Sequence, residues 1–391
     1  MFKETRYGLI IDIGSAQIDV ALVESVEGTE NPRCLYSDSL QMNLSYAMSV
    51  EDRIQKVRRT VREAYKALDT EGLRALKKYG KRNAEFLETL VIFRPPWSRT
   101  ATRKVFFRDV TPFTLDKRFL DCLFTTLEKR LEKEYKEDAI AHAFDFEIIE
   151  HAVVETRVDG EVVSNPEGMQ GKEIVLRHHT GLAPDSVVRG IIDIQHRTFP
   201  ETPVTLHSCQ YVAYRVLVDT YPDLPSFCIV TIADEATEIA VVINGTLRYS
   251  TTIRSGSSTI MGTPWSDARL GGSHTTHHVR NLISNTLTEK DRVSCRESLW
   301  EYGRALRDTF IEIEKHLRIP RTTMLLVPKE VREAFVGLCK ETLEEVIGES
   351  STLFVPEDIN MEHIEGKEVG LPLRVAGHFF HKMDEMKEGT Q

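Results

Sequence analysis

The chain has 391 residues, 41% of them hydrophobic and 28% charged, and 50 basic against 60 acidic side chains leave a formal net charge of −10. That length exceeds one ordinary hydrophobic core, so two or more lobes are expected. The acidic balance excludes a chain-wide nucleic-acid footprint, and no apolar run is long enough to span a bilayer. Met1 to Tyr7 lacks a signal-peptide layout, and the six cysteines are too scattered for a zinc site or a disulfide framework. A cytoplasmic protein with reduced thiols is expected.

Gly8-Leu-Ile-Ile-Asp12-Ile-Gly14-Ser15 reads as a buried strand ended by a turn, and Ile18, Val20 and Leu22 alternate as its hairpin partner should. From Glu51 to about Lys78 the pattern is helical, with Ile54, Val57, Val61, Tyr65 and Leu68 on one face. The basic residues Lys56, Arg58, Arg59, Arg62 and Lys66 of that helix read as a solvated face. Leu87 to Phe93 is a strand ended by Pro95-Pro96, and Arg118 to Tyr135 is an amphipathic helix with Leu123, Leu127 and Leu131 spaced by four.

Phe146 to Arg157 is strand-like, Val158-Asp-Gly160 is a turn, and Asn165-Pro-Glu-Gly-Met-Gln-Gly171 is a loop dense in breakers. A strand (Lys172 to His178), a helix (Asp185 to Thr198), a strand (Pro203 to His207) and a helix (Gln210 to Thr220) follow. Then the opening theme returns. Phe227-Cys-Ile-Val-Thr-Ile232 is an apolar strand, Thr237 to Ile243 its partner, and Asn244-Gly245 a hairpin turn into Leu247 to Ile253. After Ser255-Gly256-Ser257 the pattern is mostly helical to about Leu317. A strand (Met324 to Val327), a helix (Glu330 to Val346) and a last helix (Leu371 to Met386) complete the chain.

His274, His277 and His278 could place two imidazoles on one helical face, but no third ligand is identifiable and a helix start is preferred. Ser255-Gly256-Ser257 has no His–acid companion, so no nucleophile is assigned there.

The two strand–turn–strand units begin about 220 residues apart, and Asp12-Ile-Gly14-Ser15 resembles the first phosphate loop of the actin superfamily. Phe146-Glu-Ile-Ile-Glu-His151, Val158-Asp-Gly160 and Asn165-Pro-Glu-Gly-Met-Gln-Gly171, in this order, resemble the small inserted subdomain of FtsA, the actin-like family of bacterial cell division. Ile253-Arg-Ser-Gly-Ser257 is similar to the family's Gly-Gly step in weakened form. The resemblance implies an α/β, actin-like (ribonuclease H-like) two-lobed fold, with duplicated mixed sheets flanked by helices and a small α+β insert in the first lobe. It divides the chain into a first lobe (1–88), the insert (89–179), the first lobe continued (180–224), a second lobe (225–354) and a return to the first lobe (355–391). It also implies a nucleotide cleft built by Asp12, Gly14, Ser15, Gln17, Asp234, Glu235, Thr237 and Gly256, with Asp12 holding Mg²⁺ through water.

Departures from the family bear on mechanism. Its second phosphate loop is Asp-Ile-Gly-Gly-Gly-Thr-Thr-Asp; here the stretch is Thr231-Ile-Ala-Asp-Glu-Ala-Thr-Glu238. Lost glycines restrict a backbone that must approach phosphate, and two added carboxylates repel it unless they turn to solvent. Where the family has a glycine-rich adenosine loop, Met324-Leu-Leu-Val327 runs into Pro328-Lys329-Glu330, and Ser208 to Arg215 lacks an acid. The resemblance therefore implies a degenerate site, with ATP and Mg²⁺ weakly held or absent, and an adaptor rather than an enzyme.

FtsA proteins end in an amphipathic membrane helix; nothing of that kind follows Phe379, Phe380 and Met383, so no direct membrane anchor is expected. The leading expectation is an FtsA-like scaffold meeting the division tubulin homologue through the insert, with self-assembly into oligomers or filaments. The alternative is a PilM-like component of a pilus or secretion assembly that captures a peptide from a membrane partner. A third is an active ATPase or sugar kinase of the actin superfamily.

Overall fold

The computed structural model describes residues 4–42, 44, 48–80, 84–123, 125, 126, 129, 145–258 and 289–388. The chain opens with an antiparallel meander, β1 (Thr5–Ile13), β2 (Gln17–Val26) and β3 (Arg33–Gln41). Helix α1 (Val50–Ala67), capped by Ser49 Oγ accepting from the Asp52 amide at 3.1 Å, runs through a π-helical turn into α2 (Leu73–Lys78). The chain then returns as β4 (Phe86–Phe93), parallel to β1.

Strands β5 (Arg99–Thr114), β6 (Phe146–Val158), β7 (Glu161–Val162) and β8 (Gln170–Pro184) form a separate four-stranded antiparallel sheet in the order β5-β8-β6-β7. Helix α3 (Asp185–Thr198) leads back to the first sheet as β9 (Val204–Ser208), and α4 (Cys209–Thr220) crosses to the second half. There β10 (Phe227–Ile232), β11 (Thr237–Ile243) and β12 (Thr246–Ile253) repeat the opening meander. Helix α5 (Glu289–His316), β13 (Thr322–Leu326), α6 (Arg332–Ile347) and β14 (Thr352–Phe354) complete the second sheet. Short β15 (Glu362–His363) pairs with β3, and α7 (Leu371–Glu388) packs on β1 and β2.

The duplication is topological. One sheet runs β15-β3-β2-β1-β4-β9 and the other β12-β11-β10-β13-β14, so each is a meander whose first strand pairs in parallel with a later strand. Uninterrupted apolar runs are needed because both faces are covered. In β1, Leu9, Ile11 and Ile13 pack in the cluster with Val57 and Val61 of α1, while Ile10 joins the central core. That core contains Leu90 and Ile92 of one sheet, Ile229 and Val242 of the other, and Val216 and Phe380 from α4 and α7.

Several sequence expectations need correction. Strands β3 and β5 were not expected, because Ser37, Asp38 and Ser39 break the apolar pattern of one and exposed charges interleave the other. Phe86–Phe93 lies wholly in the first sheet, so a division at residue 88 runs through a strand; the four-stranded sheet spans 99–184. Arg58 is half-buried against Gly190 of α3 rather than solvated. The helix expected over 118–135 is described as helical over 117–123, and its remainder lies mostly outside the described residues, as do His274, His277 and His278.

The segments that carried the FtsA resemblance have local structural roles. Asp159 and Gly160 take positive φ (47° and 90°), and Asp159 Oδ1 accepts from the Lys172 and Glu173 amides at 2.9 and 2.8 Å. The Asn165 side chain accepts from the Glu167 amide at 3.1 Å, and Gly168 and Met169 exchange backbone hydrogen bonds with Leu115. Glu150 of β6 anchors the sheet to the first lobe. Its carboxylate lies 3.3 Å from His179 Nε2 and 2.9 Å from His207 Nδ1, and it also accepts from Ser208. Burial would raise this carboxyl, but the bonds from the two imidazoles prevail and hold it at about 2.

Candidate functional site: the cleft between the two hairpins

The turns of β1–β2 and β10–β11 face each other, and the cleft between them is bridged by charge. Asp12, 2% exposed at the end of β1, receives Arg94 Nε on Oδ1 at 2.8 Å and Arg94 Nη2 on Oδ2. Arg94 Nη2 also lies 3.2 Å from Asp19 Oδ2. Arg94 reaches this position because β4 runs parallel to β1 in register, Ile13 opposite Phe93, and the Arg94 amide donates to Ile13 at 2.9 Å. Burial pushes the Asp12 carboxyl up against the pull of Arg94, whose own guanidinium is firmly protonated.

Gly14 makes the tight turn: its amide donates to Gln17 O at 3.0 Å and its carbonyl accepts from Trp97 Nε1 at 2.9 Å. Ser15 is 2% exposed, with no partner for its hydroxyl among the described residues. Gln17 turns the other way, donating to Asp19 at 2.7 Å and accepting from Gln41 of β3 at 2.9 Å, so it is not a cleft residue.

The second turn supplies the opposite wall. Asp234 is half-buried and accepts from the backbone N–H of Ala16, in the first turn, and from Ser257 Oγ at 3.3 Å. Burial raises its carboxyl, opposed chiefly by Arg94. Glu235 pairs with Arg53 of α1, whose guanidinium lies 5.9 Å over the Trp97 ring. The two acids expected either to repel phosphate or to face solvent are thus both engaged across the cleft. Thr237 points into the second lobe, its Oγ1 2.8 Å from Ser255 O and 2.7 Å from Tyr302 Oη. Gly256 packs directly on the turn: a Cβ there would stand 2.6 Å from the Ala236 nitrogen. Its role in the described geometry is close backbone packing.

Beside these charges lies a cavity of about 70 Å³ walled by Ile92, Val212, Ile232, Leu326 and Val375 and also lined by Asp12, Arg94, Cys209 and Asp234. Glu238, fully buried on β11, accepts from the Cys209 thiol at 3.0 Å; its other oxygen has no partner among the described residues. Burial pushes the Glu238 carboxyl up to about 8 and the Cys209 thiol well above its usual range.

The structure therefore gathers Asp12, Gly14, Asp234 and Glu235 and leaves Gln17 and Thr237 outside. Sequence reasoning missed Arg94, Arg53 and Trp97. For Arg94 a signal existed, a lone arginine between the strand Leu87 to Phe93 and Pro95-Pro96; Arg53 carried none, since only the fold sets α1 beside the second turn.

No protein-family model matches the sequence, and no curated protein matches it. Among solved structures, the chain is similar to a chain of a PilM–PilN type IV pilus biogenesis complex, with a TM-score of 0.59 and 15% identity over 98% of each chain. A Bacteroides thetaiotaomicron protein with an actin-like ATPase fold and unknown function is also similar, at 0.42 and 7% over 95% of each chain. The fold is actin-like. The cleft between the two facing hairpins holds Asp234, Arg94, Arg53 and Glu235. Among the described residues, no helix is long and apolar enough to cross a membrane and no cluster of three or more His, Cys, Asp or Glu side chains could hold a metal ion.

Proposed function

We propose that this chain is an actin-like adaptor whose cleft is closed by its own charges, and whose four-stranded sheet docks a protein of a pilus or secretion-type assembly. The observation that carries the reading is the Asp234 carboxylate on the Ala16 N–H beside Arg94. An anion of the chain itself takes the amide that a phosphate would use. The residues present do not fit a Mg–nucleotide. Both Asp12 oxygens are taken by Arg94, the second turn carries Ala233, Asp234 and Glu235, and Leu326, Val327 and Pro328 line the cavity where an adenosine loop would stand.

The partner class comes from likeness: the whole chain superposes on one that is found in a complex of PilM with PilN. A cell-division adaptor is the second reading, favoured by the Asn165 to Gly171 loop.

Thermal shift tests the cleft. Millimolar Mg·ATP is expected to leave the melting temperature unchanged; a ligand at a hundred times its Kd would add about 2.7 kcal/mol. A rise that Asp12→Ala abolishes would restore a working nucleotide site. Co-expression with pilus-assembly proteins and, separately, with the division tubulin homologue tests the partner. Recovery of the tubulin homologue alone would replace this reading with the second.

A further inference from the structure

Among the described residues, the four-stranded sheet has one face covered by an apolar cluster and another on which Lys104, Phe106, Arg108 and Val162 are exposed. Val105, Phe107 and Phe113 of β5, Ile174 and Leu176 of β8 and Val158 of β6 pack with Leu115, Phe119 and Leu120. Strand alternation puts their neighbours on the other side, where they line up in rungs. Lys104 stands opposite Arg177 and Arg177 opposite Glu155; Phe106, Val175, Arg157 and Val162 form a second rung, and Arg108 and Glu173 a third.

The edge strand β12 of the second lobe closes one end of this face. Its Arg248 Nη2 lies 2.8 Å from Glu155 Oε1, and the same carboxylate takes Arg157 Nη2 at 2.9 Å and Arg177 Nε at 3.0 Å. One carboxylate cannot neutralise three guanidiniums. Among the described residues, Lys104, Arg108, Arg157, Arg177 and Arg248 share this face with the carboxylates Glu155 and Glu173, a local excess of positive charge on a chain of net charge −10. Lys104 and Arg108 are exposed and have no carboxylate partner among the described residues. Apolar groups are set between these cations: Phe106 is 53% and Val162 63% exposed.

Resting on the docking role given above to this sheet, we propose that the open face binds an acidic protein segment with apolar residues interleaved among its carboxylates. Excess cations recruit and orient the carboxylates, and Phe106 and Val162 receive the apolar side chains. Along β5, Lys104, Phe106 and Arg108 are alternate residues about 6.7 Å apart, the spacing of alternate side chains on an extended chain laid beside them. Glu173 among the cations, and the modest excess, favour such a segment over a phosphate polymer or a lipid surface, which reward dense positive charge.

The test uses the full chain and fluorescence anisotropy with a short labelled peptide of repeating Glu-Ser-Val-Ser, which sets glutamate and valine on the same face of an extended chain. The peptide is expected to bind at least about tenfold more tightly than its glutamine-for-glutamate counterpart, and to weaken as salt rises from about 0.05 to about 0.3 M. Lys104→Glu/Arg108→Glu should weaken it about tenfold and Phe106→Ala about threefold, with melting temperatures unchanged because all three side chains are largely exposed. Equal affinity for the two peptides, or no effect of charge reversal, would overturn the inference. So would these residues binding phosphatidylserine vesicles or duplex DNA while the peptide stays free. A charge-reversed chain that still recovers its pilus-type partner would leave the docking role standing and remove the acidic segment. Peptide binding without any such partner would do the reverse.

Discussion

The two hairpins solve one problem in two ways. Asp12 pairs across its hairpin with Asp19, and at the matching step of the second hairpin Thr231 pairs with Glu238. Both hairpins bury a carboxylate at the foot of the cleft. On the first, the strand parallel to it ends in Arg94, which bridges Asp12 and Asp19. On the second, the equivalent strand ends in Leu326 and runs into Val327 and Pro328; among the described residues no cation pairs with Glu238, whose one partner is a thiol, and it is pushed up to about 8. A guanidinium neutralises one site and a proton the other. A duplicated fold fixes where a buried acid sits, while the residue after the neighbouring strand decides how its charge is met.

Removing the cation should have the largest effect. Arg94→Leu leaves Asp12 and Asp19 buried without their partner, and loss of one side of a buried pair costs about 3–5 kcal/mol. Urea or thermal melts should show a fall of this size at neutral pH. The fall should shrink at acid pH, where Asp12 can protonate. A variant within about 1 kcal/mol of the parent would mean that Arg94 does not hold the first turn.

This contrast also shows what was legible beforehand. Asp12-Ile-Gly14 and the second apolar strand with Asn244-Gly245 carried the duplicated plan, because buried strands and tight turns are written in consecutive residues. The two-lobed actin-like fold followed from them. Cleft chemistry was less legible. Asp234 and Glu235 were visible as intruders in a glycine loop, but their partners, Ala16, Arg94 and Arg53, lie more than a hundred residues away in sequence. Thr237 looked like a phosphate residue and is instead tied to Tyr302, a contact set only by how α5 packs. The Asn165 to Gly171 loop was legible as a turn, because Gly168 takes positive φ and the Asn165 side chain accepts from the Glu167 amide within a few consecutive residues.

Protonation at the second hairpin is the next test. Glu238 has a usual value near 4.5 and a folded value near 8, so its favourable contribution is complete below about pH 4.5 and is lost as pH rises through 8. Glu238→Gln mimics the protonated form and should match the parent near pH 5. Near pH 9 it should melt higher, by roughly 4 °C or more. Parallel pH profiles of the two proteins would show that the site carries no proton at neutral pH.

The smallest effect is expected where the lobes touch through partly buried ends. Arg53 and Glu235 join α1 to the second turn with side chains 17% and 16% exposed, and Glu235 is more open to solvent than Asp12 at 2%. A double-mutant cycle with Arg53→Ala and Glu235→Gln should give a coupling of about 1 kcal/mol, below the effect of losing Arg94. If the two substitutions are additive, Arg53 and Glu235 are neighbours without a bond, and closure of the cleft rests on Asp234 alone. If the coupling equals or exceeds the Arg94 effect, the latch between lobes dominates over the buried pair, and the contrast between the hairpins is secondary to the contact that holds them together.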